Sequence, residues 1–317
     1  MPSKLAARKI RVFAIAAIGM TGLAGNSMAA DMDMASDWGF DAGIRYWYSS
    51  GKADKDLYNG TGTLMLSRLT YSKLTAHSGE GFLRLDHNPS NIFVKGLFGL
   101  GGVTGGKLQD EDFPPVTVPY SSTLSKQDNG NLSYATIDLG YNLMDRRSGD
   151  GLNMRLGIFA GYNYYHQYLN AYGCRQTATS TICVPTIPNS VKGISQDNDW
   201  HSLRIGAVMD LYPTDNLKLT FDAAYIHSWL RGKDHHWLRP AINPLPERGH
   251  GDGFQIEGVM SYKVTDNFSL GIGGRYWYFG RTKGHAHFEE APVPGIPQVE
   301  KWRSRRYGVF IQAGYEF

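Results

Sequence analysis

The sequence has little cysteine and almost no surplus charge: two Cys in 317 residues, and 32 Lys and Arg against 29 Asp and Glu. Two cysteines cannot build a multi-bridge framework, and a formal net charge of +3 gives no reason to propose nucleic acid as a partner. Long apolar runs are missing as well. Beyond the amino-terminal segment none approaches the ~18 to 20 apolar residues that a membrane-crossing helix needs, which excludes a helical membrane protein. Leu-rich helical patterning is scarce too, which is unusual for a secreted soluble enzyme.

What is abundant is glycine and aromatic residues: 38 Gly, 19 Tyr, 14 Phe and 7 Trp, with a mean hydropathy of -0.35. Those proportions suit many strands with aromatic residues at their ends. At the start, Lys4, Arg8, Lys9 and Arg11 precede an apolar run from Val12 to about Gly25 and then small residues. This reads as a secretory signal peptide over residues 1–30, with cleavage after Ala29 or Ala30 and a mature domain over residues 31–317. The two cysteines, Cys174 and Cys183, share the segment GCRQTATSTICVP. In an exported chain the expectation is a disulfide that clips a small loop, the alternative being two free thiols.

Period-2 alternation is the clearest pattern. In LKLTFDAAYIHSW, Leu217, Leu219, Phe221, Ala223, Tyr225 and Trp229 share one face, and Lys218, Thr220, Asp222 and Ser228 the other. RYGVFIQAGYEF and LNMRLGIFAGY repeat the scheme, the latter with Arg155 on the inward face. Ten strands are expected, at roughly 38–49, 62–87, 92–107, 132–144, 152–168, 198–212, 217–230, 253–264, 268–281 and 301–317. Several exceed the ~9 to 11 residues that cross a bilayer when tilted. HNPSN, DRRSGDG, PTDN and TDN are short turns, and long polar segments lie between them near 50–61, 108–131, 169–197, 231–252 and 282–300.

An even number of antiparallel strands with short turns at one end and long loops at the other is the bacterial outer-membrane pattern. The expected fold is all-β, a ten-stranded antiparallel transmembrane β-barrel with short periplasmic turns and long extracellular loops, ending on Phe317. So narrow a barrel is filled by side chains, with inward Arg155, Lys218, Asp222, Arg275, Arg306 and Glu316 expected to neutralise one another. A wide pore is not expected. Chemistry is expected at the outer rim.

Two rim segments carry acids. LQDEDFPP places Asp110 and Asp112 at i, i+2, a spacing that puts both on one side of an extended backbone, and like charges so close raise a pKa or hold a water. RGKDHHWLRP places Asp234 and His236 in the same relation, and a carboxylate beside an imidazole fixes its tautomer and raises its basicity. By spacing alone three readings stay open: solvated loop charge, water-activating catalysis, or metal. The outer His235, His236, His250, His285 and His287 fit no recognised ligand set, so neither a metal nor another cofactor is expected.

The chain resembles the omptin family, ten-stranded outer-membrane aspartyl-type endopeptidases of Gram-negative bacteria. The likeness runs through SGKADKDLY, SRLTYSKL, GGKLQDEDF, NLSYA, RLGIFAGY, KDHHW and AGYEF. It implies peptide hydrolysis of extracellular peptides or proteins by Asp110, Asp112, Asp234 and His236. His236 would be the base, Asp234 its support, and Asp110 with Asp112 would position water and substrate carbonyl, without covalent intermediate or metal. It also implies outer-membrane lipid as a partner, including lipopolysaccharide.

Two departures stand out. Where relatives that cut between basic residues carry acids, this chain has Lys55 and Gly232. Where the family carries a Tyr-x-Glu-x-Arg lipopolysaccharide set, it reads Tyr162-Asn163-Tyr164-Tyr165-His166, leaving only the Tyr. The aromatics there read as an interfacial girdle. The rival reading keeps the fold and drops the chemistry: a non-enzymatic barrel acting as adhesin, surface structure or small-solute channel.

Overall fold

A computed structural model describes residues 37–113, 118–146, 153–239, 244–286 and 297–316. The expected signal peptide, Pro114, Pro115, His287 and the terminal Phe317 lie outside the described residues.

Among the described residues eleven strands form one antiparallel sheet: β1 (Trp38–Tyr58), β2 (Met65–His87), β3 (Ile92–Asp112), β4 (Ser121–Gln127), β5 (Gly130–Arg146), β6 (Asn153–Gln176), β7 (Ile187–Thr214), β8 (Leu217–His236), β9 (Leu245–Lys263), β10 (Phe268–Ala286) and β11 (Gln298–Glu316). Pairing of β1 with β11, of β2 with β3 and of β5 with both β3 and β6 closes a ring of ten. The eleventh strand, β4, pairs with the upper part of β3 and the end of β6, continuing the wall above the start of β5.

The outward residues explain the height of the barrel. Ile44, Phe98, Leu100, Ile137, Leu139, Ile158, Leu203, Ile205, Ile256, Ile272, Val309 and Ile311 are exposed although apolar. Below them lie Trp38, Tyr141, Tyr262 and Tyr315, and above them Tyr46, Tyr48, Tyr162, Tyr225, Trp229 and Tyr307. An apolar band between two aromatic girdles is the signature of a transmembrane barrel. On β1 the band ends near Tyr48, yet the strand continues to Tyr58.

This corrects the expected boundaries. Most of what was expected to be outer loop is strand: β3 runs through Asp112, β8 through His236, and β7 is 28 residues long. Above the apolar band both faces are polar, one toward water and one toward lumen, so the hydrophobic alternation that marks strands fades there. Cys174 and Cys183 are bridged, closing the connection between β6 and β7.

The lumen is packed, not open. Trp47, Tyr71, Tyr134, Tyr165, Trp200, Trp277, Phe279, Trp302 and Phe310 belong to one buried apolar cluster. Beneath it lie ion pairs: Arg155 with Asp210 at 2.8 Å, Arg275 with Glu80 and Glu257 at 2.6 Å each, Lys218 with Asp41 and Glu316 at 3.4 Å, and Asp222 with Lys95 and Arg204. Of the six charges expected to neutralise one another, only Lys218 and Glu316 pair together; Arg155, Arg275 and Asp222 are neutralised by Asp210, by Glu80 and Glu257, and by Lys95 and Arg204, which were not in that set. Arg306 instead donates to Tyr165 Oη, Ser49 Oγ and the Leu74 carbonyl.

Candidate active site at the barrel mouth

The side chains of Asp110 and Asp112 reach the lumen through a change of parity. Along the lower part of β3 the inward residues are odd-numbered, as in buried Phe93 and Val103. Continued unbroken, that alternation would turn Asp110 and Asp112 outward. The β2–β3 register shifts between Ser72 and Ala76, where Lys73 (φ 54) and Gly106 (φ 149) adopt left-handed backbone. Above this bulge the inward set is even: Leu108 is 1% exposed, and Asp110 and Asp112 follow it. A β-bulge re-aims side chains in this way. A Cβ at Gly106 would lie 2.9 Å from the Ser72 carbonyl oxygen, so this close turn requires glycine.

On β8 the alternation is unbroken, and Ile226, Ser228, Leu230, Asp234 and His236 all face inward. The end of β8 is fastened to β7: Asp234 pairs with Gln196 and His236 with Ile194, while the Trp237 amide donates to the Gly193 carbonyl at 2.9 Å. His236 Nε2 lies 3.2 Å from Asp234 Oδ2. The expected Asp-His dyad is therefore formed.

The acid pair and the dyad face each other electrostatically. Burial, then the neighbouring Asp112, push Asp110 up to about 6, with His236 and Lys55 opposing. Burial also raises Asp112, against the Ser67 hydroxyl and Arg239. Burial works to lower His236, but Asp234 outweighs it and lifts the imidazole above its ordinary 6.5, with a smaller contribution from Asp110. Burial would raise Asp234, yet Lys55 and then His236 hold it well below the carboxylate range. The group is therefore one titrating unit with an anionic Asp234 at its centre.

Sequence reasoning left out the other half of this unit. Lys55 of β1 crosses the lumen and its Nζ donates to Asp234 Oδ2 at 2.5 Å, to Glu247 Oε1 at 2.6 Å and to Gln196 Oε1 at 3.3 Å. Gln196 in turn donates to Glu247 Oε2 at 2.6 Å and Asn198 Oδ1 at 2.9 Å. Glu300 adjoins Glu247, and burial followed by that neighbour pushes its carboxyl well above the ordinary glutamate value. Gly232 leaves the space: a Cβ there would lie 2.7 Å from both Asn198 and Glu247 side-chain oxygens. The two sequence departures, Lys55 and Gly232, are thus parts of one arrangement. Inward parity extended along β9 picks out Glu247, but only once 245–252 is read as strand.

Away from the mouth, the outer wall at Tyr162, Tyr164 and His166 is acidic. Asp199 Oδ1 is 3.0 Å from His166 Nδ1 and accepts from Tyr164 Oη at 2.5 Å, with Asp197 3.5 Å from the same histidine. His166, Asp197 and Asp199 form the one group of metal-ligand type found among the described residues. None of these three was expected as a ligand. His235 stacks on Trp237, and His250 lies beside His227.

Comparison with known proteins places the chain in a family. The Omptin family model matches residues 42–291. Among solved structures, the outer membrane protease OmpT from Escherichia coli superposes with a TM-score of 0.65 at 15% identity, covering 88% of this chain and 97% of that one. The outer membrane protein OprG from Pseudomonas aeruginosa (TM-score 0.34, 10% identity, 87% and 97% covered) and the NalP translocator domain from Neisseria meningitidis (TM-score 0.34, 11% identity, 87% and 88% covered) are more distant. No curated relative matches the chain. The chain belongs to the Omptin family, bacterial outer-membrane β-barrels of the protease kind.

Proposed function

We propose that this chain is an endopeptidase that hydrolyses extracellular peptides or proteins with a water held between the Asp110–Asp112 pair and the Asp234–His236 dyad. The observation that supports this reading best is the mutual influence of Asp110 and His236 across the mouth, with Asp234 bonded to the histidine. Neutral His236 takes a proton as the water oxygen adds to the peptide carbonyl carbon. Asp234, already anionic, stabilises the resulting imidazolium. His236 then returns the proton to the leaving amine as the C–N bond breaks, so no acyl-enzyme forms. Asp110, poised near 6, and Asp112 orient the water and the carbonyl oxygen.

The apolar band seats the barrel in lipid. For lipopolysaccharide, support comes from the outer wall of β8 to β11, where Arg231 stands directly opposite Arg248 and Lys283 opposite Lys301. Like charges facing across strands destabilise each other unless an anion lies between them. The acidic wall around His166 does not suit phosphate. Lipopolysaccharide-dependent activity therefore belongs to the β8–β11 wall.

The test is to refold the chain in detergent, with and without lipopolysaccharide, and offer a mixed peptide library. Cleavage that persists with a chelator supports the water-only mechanism. Absence of cleavage in both preparations supports the non-enzymatic barrel instead.

A further inference from the structure

The Lys55 side chain is bound as a ligand is bound. Its ammonium has three N–H donors, and three acceptors receive them: Asp234 of β8, Glu247 of β9 and Gln196 of β7. Those acceptors lie on neighbouring strands, whereas β1 is adjacent to none of the three. They are also held without Lys55, since Gln196 is anchored to Glu247 and Asn198, and Asp234 to His236. Asp234, Glu247 and Glu300 are each 1% exposed, so three buried carboxyl groups surround one cation. Lys55 lines a small cavity together with Tyr71, Leu169, Trp200 and Trp302. This is a preorganised cation site whose occupant is delivered by a strand from the far side of the ring.

A buried acid cage is costly without its cation. Lys55, with every donor used, offers no N–H to a substrate. It also shares Asp234 Oδ2 with His236, so the occupant of the cage sets the charge that the dyad feels. We propose that Asp234, Glu247 and Gln196 form an ammonium subsite behind His236, that Lys55 is its resident cation, and that this tether closes the subsite to basic substrate side chains. The substrate part rests on the endopeptidase reading. The binding part does not.

Truncation to Lys55→Ala removes a length equal to n-propylammonium, which is the probe. The readout is the His236 ring resonance in carbon-13 histidine-labelled protein, assigned by its loss in His236→Gln. The groups facing His236 are Asp234 on β8, Lys55 on β1 and Asp110 and Asp112 on β3. In Lys55→Ala, propylammonium should shift the His236 signal saturably, and tetramethylammonium, which has no N–H, should not. Wild type should respond to neither.

A folded Lys55→Ala that ignores propylammonium, or a wild type that responds equally, overturns the proposal. If Lys55→Ala does not fold, Lys55→Met fills the volume without the charge. It should be deaf to the amine and should titrate His236 at higher pH than wild type, because a nearby positive charge is gone. An unchanged midpoint in that variant overturns the proposal as well. Should wild type cleave no peptide at all, the endopeptidase reading falls while this titration stands. If wild type cleaves, Lys55→Ala should gain cuts beside Lys and Arg, and an unaltered cleavage profile overturns the closed-subsite claim.

Discussion

Lys55 and His236, from opposite sides of the barrel, meet at a single oxygen atom: Asp234 Oδ2 accepts from Lys55 Nζ at 2.5 Å and lies 3.2 Å from His236 Nε2. The shared atom keeps Asp234 ionised although it is buried, and it places a permanent cation within reach of the imidazole. The charge state of the mouth is thus set by two strands, β1 and β8, that are not neighbours and that only ring closure brings together.

The first consequence is a pH profile. His236 is raised above 6.5 and must be neutral to act as base, so kcat/KM should climb as pH rises through a midpoint above 6.5. Asp110, with its value near 6, gains its proton over the same descent and deepens the acidic loss. A rate that is flat or falls between about pH 6 and 7 contradicts the assignment of His236 as base.

Asp110→Asn should lower the His236 midpoint, because a negative charge that favours the imidazolium is removed. Histidine carbon-13 titration of the folded variant reads this directly, independent of turnover. A midpoint that rises or stays fixed means that the two strands do not face each other as described.

Gly106 is the position where backbone geometry is spent on aiming the acids. Gly106→Val places a branched side chain at φ 149 and against the Ser72 carbonyl. The expected loss is about 1–3 kcal/mol from strained backbone, read as a lower thermal midpoint in detergent. Cleavage should fall further than stability, because relief of the bulge turns Asp110 and Asp112 outward. Equal loss of both would mean that the bulge does not aim them.

Two lumen arginines should differ although both are buried. Arg275→Met leaves Glu80 without its arginine and Glu257 with Arg45 alone, an effect of about 3–5 kcal/mol. Arg306→Met removes only bonds to Tyr165, Ser49 and the Leu74 carbonyl, worth about 1–3 kcal/mol in total. Unfolding followed by gel mobility of the two variants ranks them.

How far the sequence carries depends on where lipid ends. Within the apolar band the alternation on β8 and β11 is legible residue by residue, and the short turns fix the antiparallel order. Above Tyr48 water meets one face and charge the other, so SGKADKDLY and KDHH look like loop while forming strand. The Asp-x-Asp and Asp-x-His pairs are visible as spacings. Their orientation is not, because the parity switch at Gly106 lies in a Gly-Gly pair that reads as ordinary strand. Lys55 and Glu247 are 192 positions apart, and nothing local joins them. Their pairing is a property of the closed ring.

The central claim is that the four mouth residues work as one water-activating unit. The most direct measurement is kcat for one cleaved peptide in wild type, His236→Ala, Asp112→Ala and the combined variant, with folding confirmed for each. Losses of about 10²–10⁴-fold are expected for either single change, with a combined loss far smaller than their product, because a broken unit cannot be broken twice. Cleavage undiminished in His236→Ala, or single losses that simply multiply, would contradict that claim.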